Sequence, residues 1–216
     1  MIVTKLMIYD LWRKTCMLVN MKVKKITDAY GGALTPELAL GYRAVLSSQI
    51  EFETLEDVSA LIYNSTAAQI AIQTLLRPDS VTIQDYGKHI FMFCHVVSGS
   101  VIRLEMIARL FDMPICCISI EDNIRRGLQV KNTELEYYQK KINSLVNMVM
   151  TSPAVQLFSI QRRRCRPVGS YSDALCRFAR CERCKKQIRM NRLYDVEGFC
   201  LCAQCAEVDP LWFKYY

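Results

Sequence analysis

The chain has 216 residues, 51% of them apolar and 23% charged, with only six prolines and eight glycines. That profile fits one sizeable domain plus a small one, and it excludes long disorder. The net charge is +7, and its distribution along the chain says more than its size.

The apolar stretch "LMIYDLWRKTCMLV" is broken by Asp10, Arg13 and Lys14, and no segment reaches the length of a membrane span. The N-terminus lacks the basic start, apolar run and small-residue cleavage site of a signal peptide. A cytoplasmic protein without membrane contact is expected. Residues 1–20 fit a strand or the start of a helix.

"TPELALGYRAVLSSQ" predicts a helix. Thr35 can cap it, Pro36 suits its first position and Glu37 its positive end. Leu38, Tyr42, Val45 and Leu46 share one face. Gly41 inside it costs about 1 kcal/mol against Ala, which points to a closely approaching backbone. "DVSALIYN" predicts a strand and "TAAQIAIQTLL" a short helix. "SVTIQDYGKHIFMFCHVVSGSVIRLEM" predicts strands joined by turns at Asp85–Gly87 and Ser98–Ser100. "MPICCISI" is expected as a further buried strand.

"TELEYYQKKINSLVNMVM" predicts the strongest helix, with Thr133 and Glu136 as a capping box. Leu135, Tyr138, Ile142, Leu145 and Val149 form a seam that suits packing on the protein's own core, with a dimer contact as the alternative. Helices interspersed with strands give an α+β core, helices on a small mixed or antiparallel sheet, over residues 1–160. The polar, basic "QRRRCRPVGSYSD" is expected to be a linker, 161–178. The remaining piece, 179–216, is too small to fold on an apolar core alone.

Cysteines supply the staple. Cys181 and Cys184 are one CxxC pair and Cys202 and Cys205 another, with 17 residues between them. That spacing falls in the zinc-site window, and four thiolates suit one tetrahedral Zn2+ with no position left for substrate. A structural metal is expected at Cys181, Cys184, Cys202 and Cys205. Cys200, the fifth thiol of this segment, is expected to be a small side chain on the intervening hairpin. Cys16, Cys94, Cys116 and Cys117 stand among apolar residues and are expected as buried small hydrophobes. His89 and His95 are the only histidines. On one strand they would lie about 20 Å apart, too far to share a metal.

Residues 162–192 hold eleven Lys or Arg against Asp173 and Glu182, a net of +9 that leaves the rest of the chain at −2. Part of this run can balance the thiolate charge. Arg162, Arg163, Arg164 and Arg166 precede the cysteines and suit a nucleic-acid or protein partner.

"YGGALTPELALGYR" and "IQDYGKHIFMF", followed by the four-cysteine segment, resemble the E-subunit family of formylmethanofuran dehydrogenase over most of 28–107 and 178–206. Gly32, Pro36, Gly41 and Arg43 match its first motif, Gln69 its middle one, and Asp85, Tyr86, Gly87 and Lys88 its last. The resemblance implies an α+β core, a homodimer and a treble-clef-like zinc module. It also implies a core site that this chain lacks. Gly31 and Ala33 replace the family's histidines and Thr35 its cysteine. Tyr63, Thr66 and Thr74 stand for the next cysteine, the aspartate and the third cysteine. Hydroxyls cannot replace thiolate and imidazole for a transition metal. The expectation is therefore a zinc-binding protein that is non-catalytic or regulatory in its core. Two alternatives stand beside it. One is a component of an enzyme in one-carbon or molybdopterin-linked metabolism, acting through Arg43, Tyr86 and Lys88. The other is a nucleic-acid-binding regulator using 162–192.

Overall fold

The computed structural model describes residues 21–107, 112–168 and 178–209. The chain divides into two units, and each is built from separated stretches. The first draws on the described residues of Met1–Val45, Thr66–Leu75 and Ala108–Pro153, and the second on those of Leu46–Ser65, Leu76–Ile107 and Ala154–Tyr216. The expected α+β class is what the elements show.

The first unit is helical. Helix α1 covers residues 21–30, and α2 is Pro36–Phe52, along which the chain passes into the second unit. The Thr35 hydroxyl accepts the Leu38 N–H at 3.2 Å, the cap expected of it. Helix α3, Ala67–Leu75, crosses α2 at Gly41. A Cβ on Gly41 would lie 2.3 Å from the Ala68 carbonyl oxygen, so the glycine marks a backbone approach as expected.

Helix α4, Ile115–Arg125, corrects the expected strand at "MPICCISI". Pro114 starts it, and Cys117 and Ile120 bury one face while Ile115 and Ile118 stay exposed. The pairs Glu121–Arg125 and Asp122–Arg126 support it at helical spacing. Cys116 is exposed, against expectation, because helical geometry turns it away from its buried neighbour Cys117. Helix α5, Asn132–Thr151, begins two residues earlier than expected. Glu134 accepts the Lys131 N–H at 3.1 Å, so the cap lies two residues upstream of the Thr133–Glu136 pair. The seam it carries is buried at Val149 and half-buried at Tyr138, Ile142 and Leu145, while Leu135 is exposed.

The second unit is built on a seven-stranded mixed sheet of order β2-β1-β3-β4-β5-β8-β9. Its strands are β1 Val58–Ile62, β2 Val81–Ile83, β3 Ile90–His95, β4 Ser100–Met106, β5 Phe158–Pro167, β8 Leu193–Val196 and β9 Phe199–Cys202. Only β1 and β2 run parallel. Short helix α6, Ala154–Leu157, leads into β5. Residues 161–167, expected as linker, are strand. Ser100 to Met106 pairs along Arg164 to Phe158, and alternation buries Cys165 while Arg162, Arg164 and Arg166 face solvent. Composition hid this, because the exposed face of the strand is arginine. The rest of the expected linker, 169–177, lies outside the described residues, as do residues 1–20 and Cys16.

Beyond β5 the sheet continues into the cysteine segment. Cys165, Arg166 and Pro167 pair with Val196, Asp195 and Tyr194 on β8. One core cluster joins the two parts: Met92, Cys94, Val101 and Cys165 with Tyr194, Val196, Ala206 and Val208. A separate hairpin, β6 Phe178–Arg180 and β7 Gln187–Arg189, completes the second unit with α7, Ala203–Ala206. Among the described residues, no helix is long and apolar enough to cross a membrane.

Candidate metal centre

The first cysteine pair sits in the turn that closes β6 on β7. The Lys185 N–H returns to the Cys181 carbonyl at 2.8 Å and the Cys181 N–H to the Lys186 carbonyl at 2.9 Å. Lys185 takes φ +60, a left-handed conformation unfavourable for a side chain, at the point where the turn reverses. The second pair lies where β9 ends. Cys202 is the residue before α7, and Cys205 lies within that helix. The two loops are laced together, the Glu182 N–H donating to the Cys200 carbonyl at 2.9 Å and the Cys200 N–H to Glu182 Oε1 at 2.9 Å.

This places the sulfurs of Cys181, Cys184, Cys202 and Cys205 within 4.8 Å of one another. Cys184 Sγ and Cys202 Sγ are 3.9 Å apart, twice a disulfide length of about 2.05 Å. Tetrahedral zinc–sulfur bonds of about 2.3 Å put neighbouring sulfurs roughly 3.8 Å apart. The donor set and its spacing therefore fit a tetrahedral thiophilic cation. The expected four residues are brought together, and Cys200 is not among them. Half-buried on β9, its thiol is pushed up by burial and by the Glu182 carboxylate.

The four thiols are not equivalent. Burial pushes the Cys181 thiol up, but the N–H groups of Cys184, Cys202 and Arg183 outweigh it and hold it at about 6. The Cys202 N–H lies 3.3 Å from its sulfur. Cys205 is pushed up to about 12, by burial and by donating to the other three sulfurs. One thiolate is thus provided for by the backbone. Gathering the others as thiolates requires a cation.

The remaining expected residues are spent locally. Arg43 donates from Nη1 to the Met150 carbonyl at 2.6 Å and from Nη2 to that of Ser152 at 2.5 Å, capping the C-terminus of α5. Thr74 bonds back to the Ile70 carbonyl. The Thr66 hydroxyl is buried without a hydrogen-bond partner among the described residues. Tyr86 and Lys88 lie in the turn before β3, where both N–H groups donate to the Tyr63 carbonyl. The Tyr86 ring is exposed and meets Tyr63 edge-on at 5.4 Å. His89 receives the Asn64 side-chain amide at 3.0 Å, and His95 contacts the Ser98 hydroxyl at 2.9 Å.

The β5 arginines are likewise engaged. Arg162 pairs with Glu51 at 2.8 Å, and Arg164 and Arg166 reach the Ser98 carbonyl. Arg163 donates to the Glu207 carbonyl, and its guanidinium lies 3.8 Å from the Glu207 carboxylate, which Arg103 approaches at 3.9 Å. Sequence reasoning missed this clamp of the α7 end on the sheet. Its members come from three distant segments, and no spacing announces them.

Neither a protein-family model nor a curated protein matches the chain. Among solved structures it is similar to a tungsten formylmethanofuran dehydrogenase E-subunit (FmdE)-like protein from Syntrophus aciditrophicus. The TM-score is 0.42 and the identity 14%, over 87% of this chain and 91% of that chain.

Proposed function

We propose that this protein binds one structural Zn2+ through Cys181, Cys184, Cys202 and Cys205, and that its core carries out no metal catalysis. The convergence of four sulfurs from two loops carries this reading. Four protein ligands leave no coordination position for substrate, which separates a structural from a catalytic zinc. The metal would join the β6–β7 turn to the β8–β9 hairpin and α7 as a treble-clef-like module. Binding worth about 10–16 kcal/mol in zinc-finger peptides is ample to hold so small a piece.

On the resemblance carried by Gly32, Pro36, Gly41, Arg43 and Asp85–Lys88, the scaffold is that of the E-subunit family of formylmethanofuran dehydrogenase with its core ligands lost. The fates of Thr35, as a helix cap, and of Thr74, bonded within its helix, support a structural use of those positions. Zinc stoichiometry on two single variants tests the reading. Cys202→Ser should lose the metal and open residues 178–209 to protease, and Cys200→Ser should do neither. Zinc retained in Cys202→Ser but lost in Cys200→Ser would overturn the ligand set.

A further inference from the structure

The β6–β7 hairpin has two unlike faces. Its register sets Phe178 opposite Arg189, Ala179 opposite Ile188 and Arg180 opposite Gln187. Ala179 and Ile188 pack toward Cys181, Leu193 and Cys202. The other face presents Phe178, Arg180, Gln187 and Arg189, all exposed, with Phe178 54% open to solvent. The turn adds Lys185 and Lys186, also exposed.

Residues 178–189 hold five cations and one acid, Glu182, whose carboxylate is turned to the Cys200 N–H. Arg183 is tied to the Cys205 carbonyl. Arg180, Lys185, Lys186 and Arg189 make no ion pair with any described residue. On β5, Arg162 and Arg163 have carboxylate partners in Glu51 and Glu207, while Arg164 and Arg166 reach the neutral Ser98 carbonyl. The hairpin therefore gathers four exposed cations without a carboxylate partner beside one exposed aromatic ring.

We propose that the solvent face of the β6–β7 hairpin binds single-stranded nucleic acid, with Phe178 stacking on a base and Arg180, Arg189, Lys185 and Lys186 meeting phosphates. Four exposed cations with no carboxylate partner exceed the −2 of a zinc tetrathiolate and suit a polyanion. An exposed ring beside them calls for one with flat apolar groups, and a single strand offers both on one side. A duplex hides its base faces, so the ring would gain nothing there. The proposal rests on the metal reading, because Cys181 and Cys184 set the turn that carries the lysines.

The test is fluorescence anisotropy of a labelled oligothymidylate of roughly 15 nucleotides against the zinc-loaded full chain. Four phosphate contacts predict a log–log salt slope of about −3. Arg180→Gln with Arg189→Gln should halve that slope, to about −1.5. Phe178→Ala should weaken binding at least about fivefold at unchanged slope. Zinc per chain should stay constant in these variants. No binding at about 50 mM salt would overturn the proposal, since contacts of this kind are strongest at low salt. So would equal affinity for a duplex of the same length, or indifference to Phe178→Ala. A wild-type chain without zinc would refute the metal reading instead, whereas a null titration of zinc-replete protein refutes the surface alone.

Discussion

Replacing Gly41 with alanine sets two effects of opposite sign against each other. Helix propensity favours alanine by about 1 kcal/mol. The added Cβ, however, would lie 2.3 Å from the Ala68 carbonyl oxygen, 2.7 Å from its Cα and 2.9 Å from its carbonyl carbon. All three are backbone atoms, so no rotamer change relieves the contact, and α2 and α3 must part by about 1 Å. Overpacking costs about 1–3 kcal/mol, and a backbone clash belongs at the top of that range. The net is a loss of about 2 kcal/mol, which for a chain of this size lowers Tm by about 4–8 °C. Calorimetry or circular dichroism of the zinc-loaded protein reads this directly. Because Ala68 contributes only backbone atoms to the contact, Ala68→Gly should not rescue Gly41→Ala. A Tm raised by Gly41→Ala would show that propensity wins and that the close approach is wrong.

Arg43→Met keeps the aliphatic stem but removes two charge-assisted bonds to the α5 C-terminus. It should cost about 2–3 kcal/mol and speed amide exchange at 147–152, and unchanged exchange would contradict the capping role. Burial pushes the Cys165 thiol up to about 12, and that of Cys94 further still. A raised acid keeps its proton in the folded state while the unfolded thiol loses it. These groups therefore contribute stability fully below about pH 8.5, and that contribution falls away as pH rises toward 12. Denaturation midpoints should drop above about pH 9, and Cys94→Ala with Cys165→Ala should flatten the drop. A midpoint that rises there would refute the burial.

Much of this was readable residue by residue. The CxxC pairs were legible because a two-residue gap fixes a turn that points both sulfurs one way. Gly41 was legible because a glycine inside a strong helix needs a reason. Helix α4 was not, since its apolar "ICCISI" satisfies a strand as well as a helix. The deciding information lay in Glu121–Arg125 and Asp122–Arg126, just beyond that run. The β5 strand hid behind its arginines, whose partners Glu51, Glu207 and Ser98 lie 44 to 111 residues away. For the same reason no local pattern discloses what Arg43 does, 107 residues from Met150. The clamp of Arg103 and Arg163 on Glu207 is a product of sheet register, which places both arginines on the face that α7 covers.

Zinc K-edge absorption on the protein as purified tests the central claim most directly. The account predicts one zinc per chain with a shell of four sulfurs at about 2.3 Å and no oxygen or nitrogen ligand. A shell with fewer than four sulfurs, or one completed by water or imidazole, would contradict it.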